Sequence, residues 1–121
     1  MAIAKTGNIG IGTLSPEAKL DVNGTTILGT NGTALTEIIK ATVVKDVASI
    51  AANSSLNVDF AVSNSATTST VYMSPENDLT LGMIIGYARV NSAGIVRARF
   101  TNTTGAAIDL PSMNYYITVI R

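Results

Sequence analysis

The chain has 121 residues, with eight Lys or Arg, eight Asp or Glu, and no His, Cys or Trp. This length suits one domain with a modest core, and the zero formal net charge argues against a nucleic-acid or membrane partner held by long-range attraction. The absence of His and Cys excludes Ser-His dyads, thiol nucleophiles, structural zinc and disulfides. We therefore expect no enzyme activity, no cofactor and no metal.

Polar but uncharged residues dominate the rest of the chain. Charged residues make up only 13%, against a usual share of about 25% in soluble domains. Ser, Thr, Asn and Gly replace them, as in the segment AVSNSATTST at residues 61–70. Thr favours strands, whereas Asn and Gly favour turns. This composition predicts an all-β protein of short strands, with the β-sandwich or jelly-roll as its fold class.

The segment 1–34 is rich in glycine, with six of the chain's ten glycines. Its apolar residues form two alternating pairs, Ile9 with Ile11 and Leu20 with Val22, separated by Ser-Pro and Asn-Gly turn signals. Such a segment cannot bury much surface by itself. We interpret it as an extended N-terminal arm whose four apolar residues anchor it to a partner. A flexible linker is the alternative.

The segment 35–121 is predicted to form the β-sandwich domain. Its first apolar element spans residues 37–45, where Leu35, Ile38, Ile39 and Val43 also nearly fit a helical spacing. The β-branched content favours a strand. Five further strands are predicted, at residues 56–62, 71–73, 83–90, 95–101 and 113–120. Their number and spacing are typical of a β-sandwich or jelly roll.

The strands at 83–90 and 95–101 flank residues 91–94, which predict a four-residue hairpin loop. In the second of these strands Val96, Ala98 and Phe100 share one face, and the closing strand places Tyr115, Ile117 and Val119 on one face. The opposite face of the hairpin carries the arginines Arg89, Arg97 and Arg99. They are candidates for pairing with carboxylates of a partner or a neighbouring subunit. Pairing within the chain on a solvated face is the alternative.

Several weaker motifs are discounted. Gly10-x-Gly12 is not a phosphate loop, because Ser15 stands where a third glycine is needed and Pro16 follows. Glu76 and Asp78 lack the third nearby carboxylate that a calcium site would favour, and a chain this small offers little cleft for a glycosidase pair. The four Asn-x-Ser/Thr triplets, at Asn23, Asn31, Asn53 and Asn102, only slightly exceed chance.

Two stretches resemble a known class of proteins. The sequence GIGTLSPEAKLDV at residues 10–22 resembles a short motif of bacteriophage tail fibre and tailspike proteins. The stretch 81–121 resembles the closing half of small β-sandwich domains in phage virion proteins. The resemblance implies a viral structural protein of the virion that forms a homo-oligomer, most simply a trimer, and it supplies no catalytic residues.

Fibre and spike chains have separate ends for virion attachment and for receptor binding, and 121 residues leave no room for both. A capsid decoration (cement) protein on the capsid surface, with the major capsid protein or another virion protein as partner, is therefore favoured. A short tail fibre or tail-associated receptor-binding module is one alternative. A carbohydrate-binding module that uses Tyr87, Tyr115 and Tyr116 as stacking platforms is another.

Overall fold

The computed structural model describes Met1–Arg121 and confirms the all-β prediction, with nine strands and no helix. It accordingly contains no helix of the length and apolarity needed to cross a membrane. The strands are β1 (Ala2–Ile3), β2 (Ile9–Ile11), β3 (Leu20–Val22), β4 (Ile38–Lys45), β5 (Ser55–Ala61), β6 (Thr70–Pro75), β7 (Met83–Ser92), β8 (Ile95–Asn102) and β9 (Met113–Ile120).

The chain divides into two compact units, Met1–Glu37 and Ile38–Arg121. The first unit holds a three-stranded sheet in the order β1-β2-β3. Strands β1 and β2 are antiparallel, whereas β2 and β3 are parallel. A short antiparallel bridge between Thr26 and Leu35 follows this sheet. The glycine-rich segment thus has a defined local fold of very short strands.

The second unit contains two antiparallel three-stranded sheets, ordered β4-β9-β6 and β5-β8-β7. The ring of Tyr115 on β9 makes edge contacts with Phe60 on β5 and Phe100 on β8, at centroid distances of 5.2 and 5.8 Å. Because these rings come from different sheets, the two sheets face each other across the core. The arrangement is that of a small β-sandwich.

Side-chain alternation on β8 and β9 follows the predicted faces, and in each strand the face named in the sequence analysis is the buried one. Val96, Ala98 and Phe100 are buried, as are Tyr115 and its neighbours Ile117 and Val119 on the same face. Burial raises the pKa of the Tyr115 phenol above its ordinary value. The core of the second unit is therefore built from every second residue of its strands.

Residues 38–45, where the sequence pattern was compatible with a helix or a strand, form strand β4. All eight of its residues pair with β9, from Ile38 opposite Ile120 to Lys45 opposite Met113. A helix would leave the edge of β9 without this ladder. The β-branched residues Ile38, Ile39, Val43 and Val44 suit the pleated surface that the ladder provides.

Two predicted boundaries are wrong. The hairpin loop has two residues, Ala93 and Gly94, because Asn91 and Ser92 belong to β7. A register irregularity between Val90 and Ser92 absorbs the extra residue, and Gly94 turns the chain with φ +78°. Strand β6 also runs through Pro75 instead of ending before it, which an edge strand tolerates.

Candidate interaction surfaces

The four predicted arm anchors lie on one face of the N-terminal sheet. Ile9 pairs with Leu20 and Ile11 pairs with Val22, and directly paired residues project to the same side of a sheet. Ile3 pairs with Ile9 from the other edge and joins the same side. We call this set, Ile3, Ile9, Ile11, Leu20 and Val22, the arm face.

The opposite side of this sheet is covered by the chain itself. Gly10 is the only buried residue of the first unit, and a Cβ at Gly10 would collide with the backbone of Thr13. The connection from β2 to β3 therefore passes over this side. Gly12 adopts φ +76°, and a Cβ there would collide with the carbonyl of Asn23. The two glycines let the connection fold back and leave the arm face uncovered.

Four of the five side chains of the arm face are exposed. Ile3 is 68% exposed and Leu20 is 59% exposed, Ile9 and Ile11 are exposed as well, and Val22 is half-buried. A sheet needs a buried apolar face to be stable on its own. Contiguous exposed apolar surface of this kind marks an interaction site.

The three predicted arginines also lie on one surface, the outer side of sheet β5-β8-β7, which we call the arginine face. Arg97 donates from Nε and an Nη atom to the two carboxylate oxygens of Asp59, at 2.7 and 2.8 Å. This hydrogen-bonded pair lowers the pKa of Asp59 and raises that of Arg97. For Arg97, pairing within the chain is therefore what the structure shows.

The other two arginines have neutral partners. Arg99 donates to Asn57 at 3.0 Å and lies over the ring of Tyr87, 5.3 Å from its centroid. Arg89 donates to Asn91 at 2.9 Å and stands directly opposite Arg97 across the ladder. Like charges in that position repel each other. The arginine face therefore carries a net positive charge, and its role in binding a carboxylate-bearing partner stays a prediction.

One of the two loop carboxylates, Glu76, holds two strands of the sandwich together. Glu76 accepts hydrogen bonds from the backbone and side-chain nitrogens of Asn114, at 3.0 and 3.1 Å. It thereby links the end of β6 to the start of β9. No group of three or more acidic, His or Cys residues in the chain is placed to hold a metal ion.

The tyrosine platform predicted for carbohydrates is partly wrong. Tyr115 lies fully inside the core, because β9 turns alternate residues inward. Tyr87 has its ring face beneath Arg99. Tyr116 projects outward on β9, and Tyr72 on β6, which the sequence prediction did not include, is the most exposed tyrosine at 62%.

Tyr72 and Tyr116 belong to a surface that sequence reasoning missed, the outer side of sheet β4-β9-β6. The ladder places Tyr72 opposite Thr118 and Tyr116 opposite Thr42. We call this surface the tyrosine face. Its members at strand positions are Ile38, Lys40, Thr42, Val44, Asn114, Tyr116, Thr118, Ile120, Thr70, Tyr72 and Ser74.

The signal for the tyrosine face was present in β4. Ile39, Ala41 and Val43 point toward the core, yet Ile38 and Val44 on the other side are apolar as well. Apolar residues on both sides of a strand are typical of a strand covered on both faces. This pattern could have predicted a second contact surface.

No protein family model, curated protein or solved structure matches the chain. Its function must therefore be inferred from these three surfaces and from the motif at residues 10–22.

Proposed function

We propose that the chain is a phage capsid decoration protein that attaches through the arm face. The observation that carries this proposal is the exposure of four aliphatic side chains, Ile3, Ile9, Ile11 and Leu20, on one side of the β1-β2-β3 sheet. Full burial of one such side chain stabilises a complex by about 1.5–3 kcal/mol. The resemblance of residues 10–22 to a phage fibre motif supports a virion as the setting.

The division of the chain into two units supports the same assignment. The core residues of the sandwich all lie between Ile39 and Val119, so the sandwich has a core that does not depend on the first unit. The first unit can then bind the capsid without any change to the core of the sandwich. Assembly of several copies, most simply three, would join several arms and raise the avidity of attachment.

Co-sedimentation with empty capsids of the virus tests the proposal. The double variant Ile9→Asp, Leu20→Asp places charge on the arm face and should abolish pelleting with capsids. Leu14→Asp is the matched control, because Leu14 is 90% exposed on the connection between β2 and β3 and lies outside the arm face. This control should pellet like the unmodified chain.

Truncation provides an independent test. A fragment of residues 35–121 should fold but stay in the supernatant. If the folded fragment still decorates capsids, attachment through the arm face is wrong. If density maps of virions place the chain only at the tail, the capsid assignment is wrong and the tail-associated alternative replaces it.

A further inference from the structure

The two outer surfaces of the sandwich differ sharply in charge. On the arginine face, strand positions include Arg89, Arg97 and Arg99 with a single carboxylate, Asp59. On the tyrosine face the only charged strand position is Lys40. Because both surfaces belong to the same small domain, each serves as an internal comparison for the other.

The tyrosine face also exposes large apolar side chains. Val44 is 67% exposed, Ile38 is 59% exposed and Tyr116 is 48% exposed. Depletion of charged residues together with enrichment in aromatic residues such as tyrosine distinguishes the centre of protein interfaces from ordinary surface. If this side of the sheet faced only water, polar residues would occupy it and would alternate along each strand with the inward apolar residues.

We propose that the tyrosine face is the surface through which copies of this chain associate. The face is neutral apart from Lys40, so bringing copies together through it sets few like charges against each other. The arginine face is less suited to this, because its net positive charge would be repeated in every copy brought together. In a closed symmetric oligomer the same face of every copy lines the axis.

The size of the face sets the strength of this association. Three strands at about 4.8 Å spacing and eight residues at about 3.3 Å give a footprint on the order of 400 Å². A standard interface buries about 800 Å² of accessible surface per partner. The tyrosine face therefore lies at the low end for a specific complex, and we expect association that depends on protein concentration.

Tyr116 and Thr42 are the best positions to test. They stand opposite each other on β9 and β4, near the middle of the face, and both side chains are exposed. Replacing either leaves the core side of its strand unchanged. Tyr116→Ala removes contact area, and Thr42→Glu introduces a charge that must be desolvated on association.

The experiment is sedimentation velocity of the full chain over a range of concentrations. The unmodified chain should form a defined oligomer of the 12.5 kDa subunit, and Tyr116→Ala and Thr42→Glu should each weaken association at least about tenfold, since each removes or opposes more than about 1.4 kcal/mol. Tyr87→Ala, on the arginine face, is the matched control and should assemble normally. Circular dichroism confirms that each variant is folded.

Three results would overturn the proposal. The unmodified chain could stay monomeric throughout, or the folded Tyr116→Ala and Thr42→Glu variants could assemble as well as Tyr87→Ala. A monomeric chain that binds a glycan array and loses that binding in Tyr72→Ala and Tyr116→Ala would instead make the face a carbohydrate platform.

This inference rests on the proposed function only for the role that it gives to self-association. Capsid binding and self-association can therefore fail separately. The variant Ile9→Asp, Leu20→Asp should lose capsid binding but keep its oligomeric mass. If that double variant were monomeric while Tyr116→Ala still formed the oligomer, the copies would associate through the arm face and not through the tyrosine face.

Discussion

At the scale of single residues, Asn102 at the end of β8 is the most highly connected polar side chain. It is fully buried, and its Nδ2 donates to the carbonyls of Ile50, Ala51 and Ala106 at 2.9, 3.2 and 2.7 Å. Its Oδ1 accepts hydrogen bonds from the amide and hydroxyl of Thr104. The side-chain amide of Asn102 thus links two loops to the end of the sandwich. Because this side chain is buried, it is not accessible for glycosylation.

We expect Asn102→Ala to lower the free energy of unfolding by about 2–4 kcal/mol, because the hydrogen bonds of this buried side chain to both loops are lost together. Urea denaturation measures this change. Asn77→Ala is the control, since Asn77 is exposed, and it should change stability by less than about 0.5 kcal/mol. Equal stability of the two variants would contradict the role assigned to Asn102.

At the scale of elements, the parallel pairing of β2 with β3 depends on Gly12. Gly7 and Gly12 share φ +76°, so alanine is equally strained at both positions. Only at Gly12 would the added Cβ collide with another part of the backbone, the carbonyl of Asn23. Gly7→Ala therefore measures the free-energy cost of the backbone conformation alone. Gly12→Ala measures that cost together with the cost of the steric collision.

We expect Gly12→Ala to break the β2–β3 pairing and Gly7→Ala to preserve it. The amide of Asn23, which donates to Ile11 at 2.8 Å, reports on this pairing through hydrogen exchange. Its exchange should be at least about tenfold faster in Gly12→Ala than in Gly7→Ala, since we expect the collision to cost more than about 1.4 kcal/mol. Equal exchange rates would show that conformation alone sets the cost.

At the scale of the whole molecule, the two units differ in what stabilises them. The sandwich has a continuous core of buried side chains that includes Phe60, Phe100 and Tyr115. In the first unit the only buried residue is Gly10. The first unit therefore has no core of buried side chains, whereas the sandwich has one.

We expect residues 35–121 to unfold with the same principal thermal midpoint as the full chain. Deleting residues 1–34 removes no residue of the core, so the midpoint should shift by less than about 4 °C, which corresponds to less than about 1 kcal/mol for a domain of this size. Differential scanning calorimetry measures it. A large drop in the midpoint would mean that the first unit stabilises the sandwich.

Local patterns were sufficient for the all-β class, for the strand at residues 38–45 and for the sets of residues that share a face on β8 and β9, because alternation depends only on neighbouring positions. The placement of Arg89, Arg97 and Arg99 on one outer surface follows from the same alternation and from the hairpin. The two-residue loop was missed, since the register irregularity beside Val90 is a feature of the paired strands and leaves no local mark.

The sequence by itself determined which residues alternate, where the chain turns and how little charge it carries. Only the tertiary structure decided that Tyr115 is buried while Tyr72 and Tyr116 are exposed, that Asp59 neutralises Arg97, and that Asn102 closes two loops. The physical reason is that alternation assigns residues to two sides of a strand. Which side becomes core depends on partners that lie far away along the chain, such as β9 for both β4 and β6.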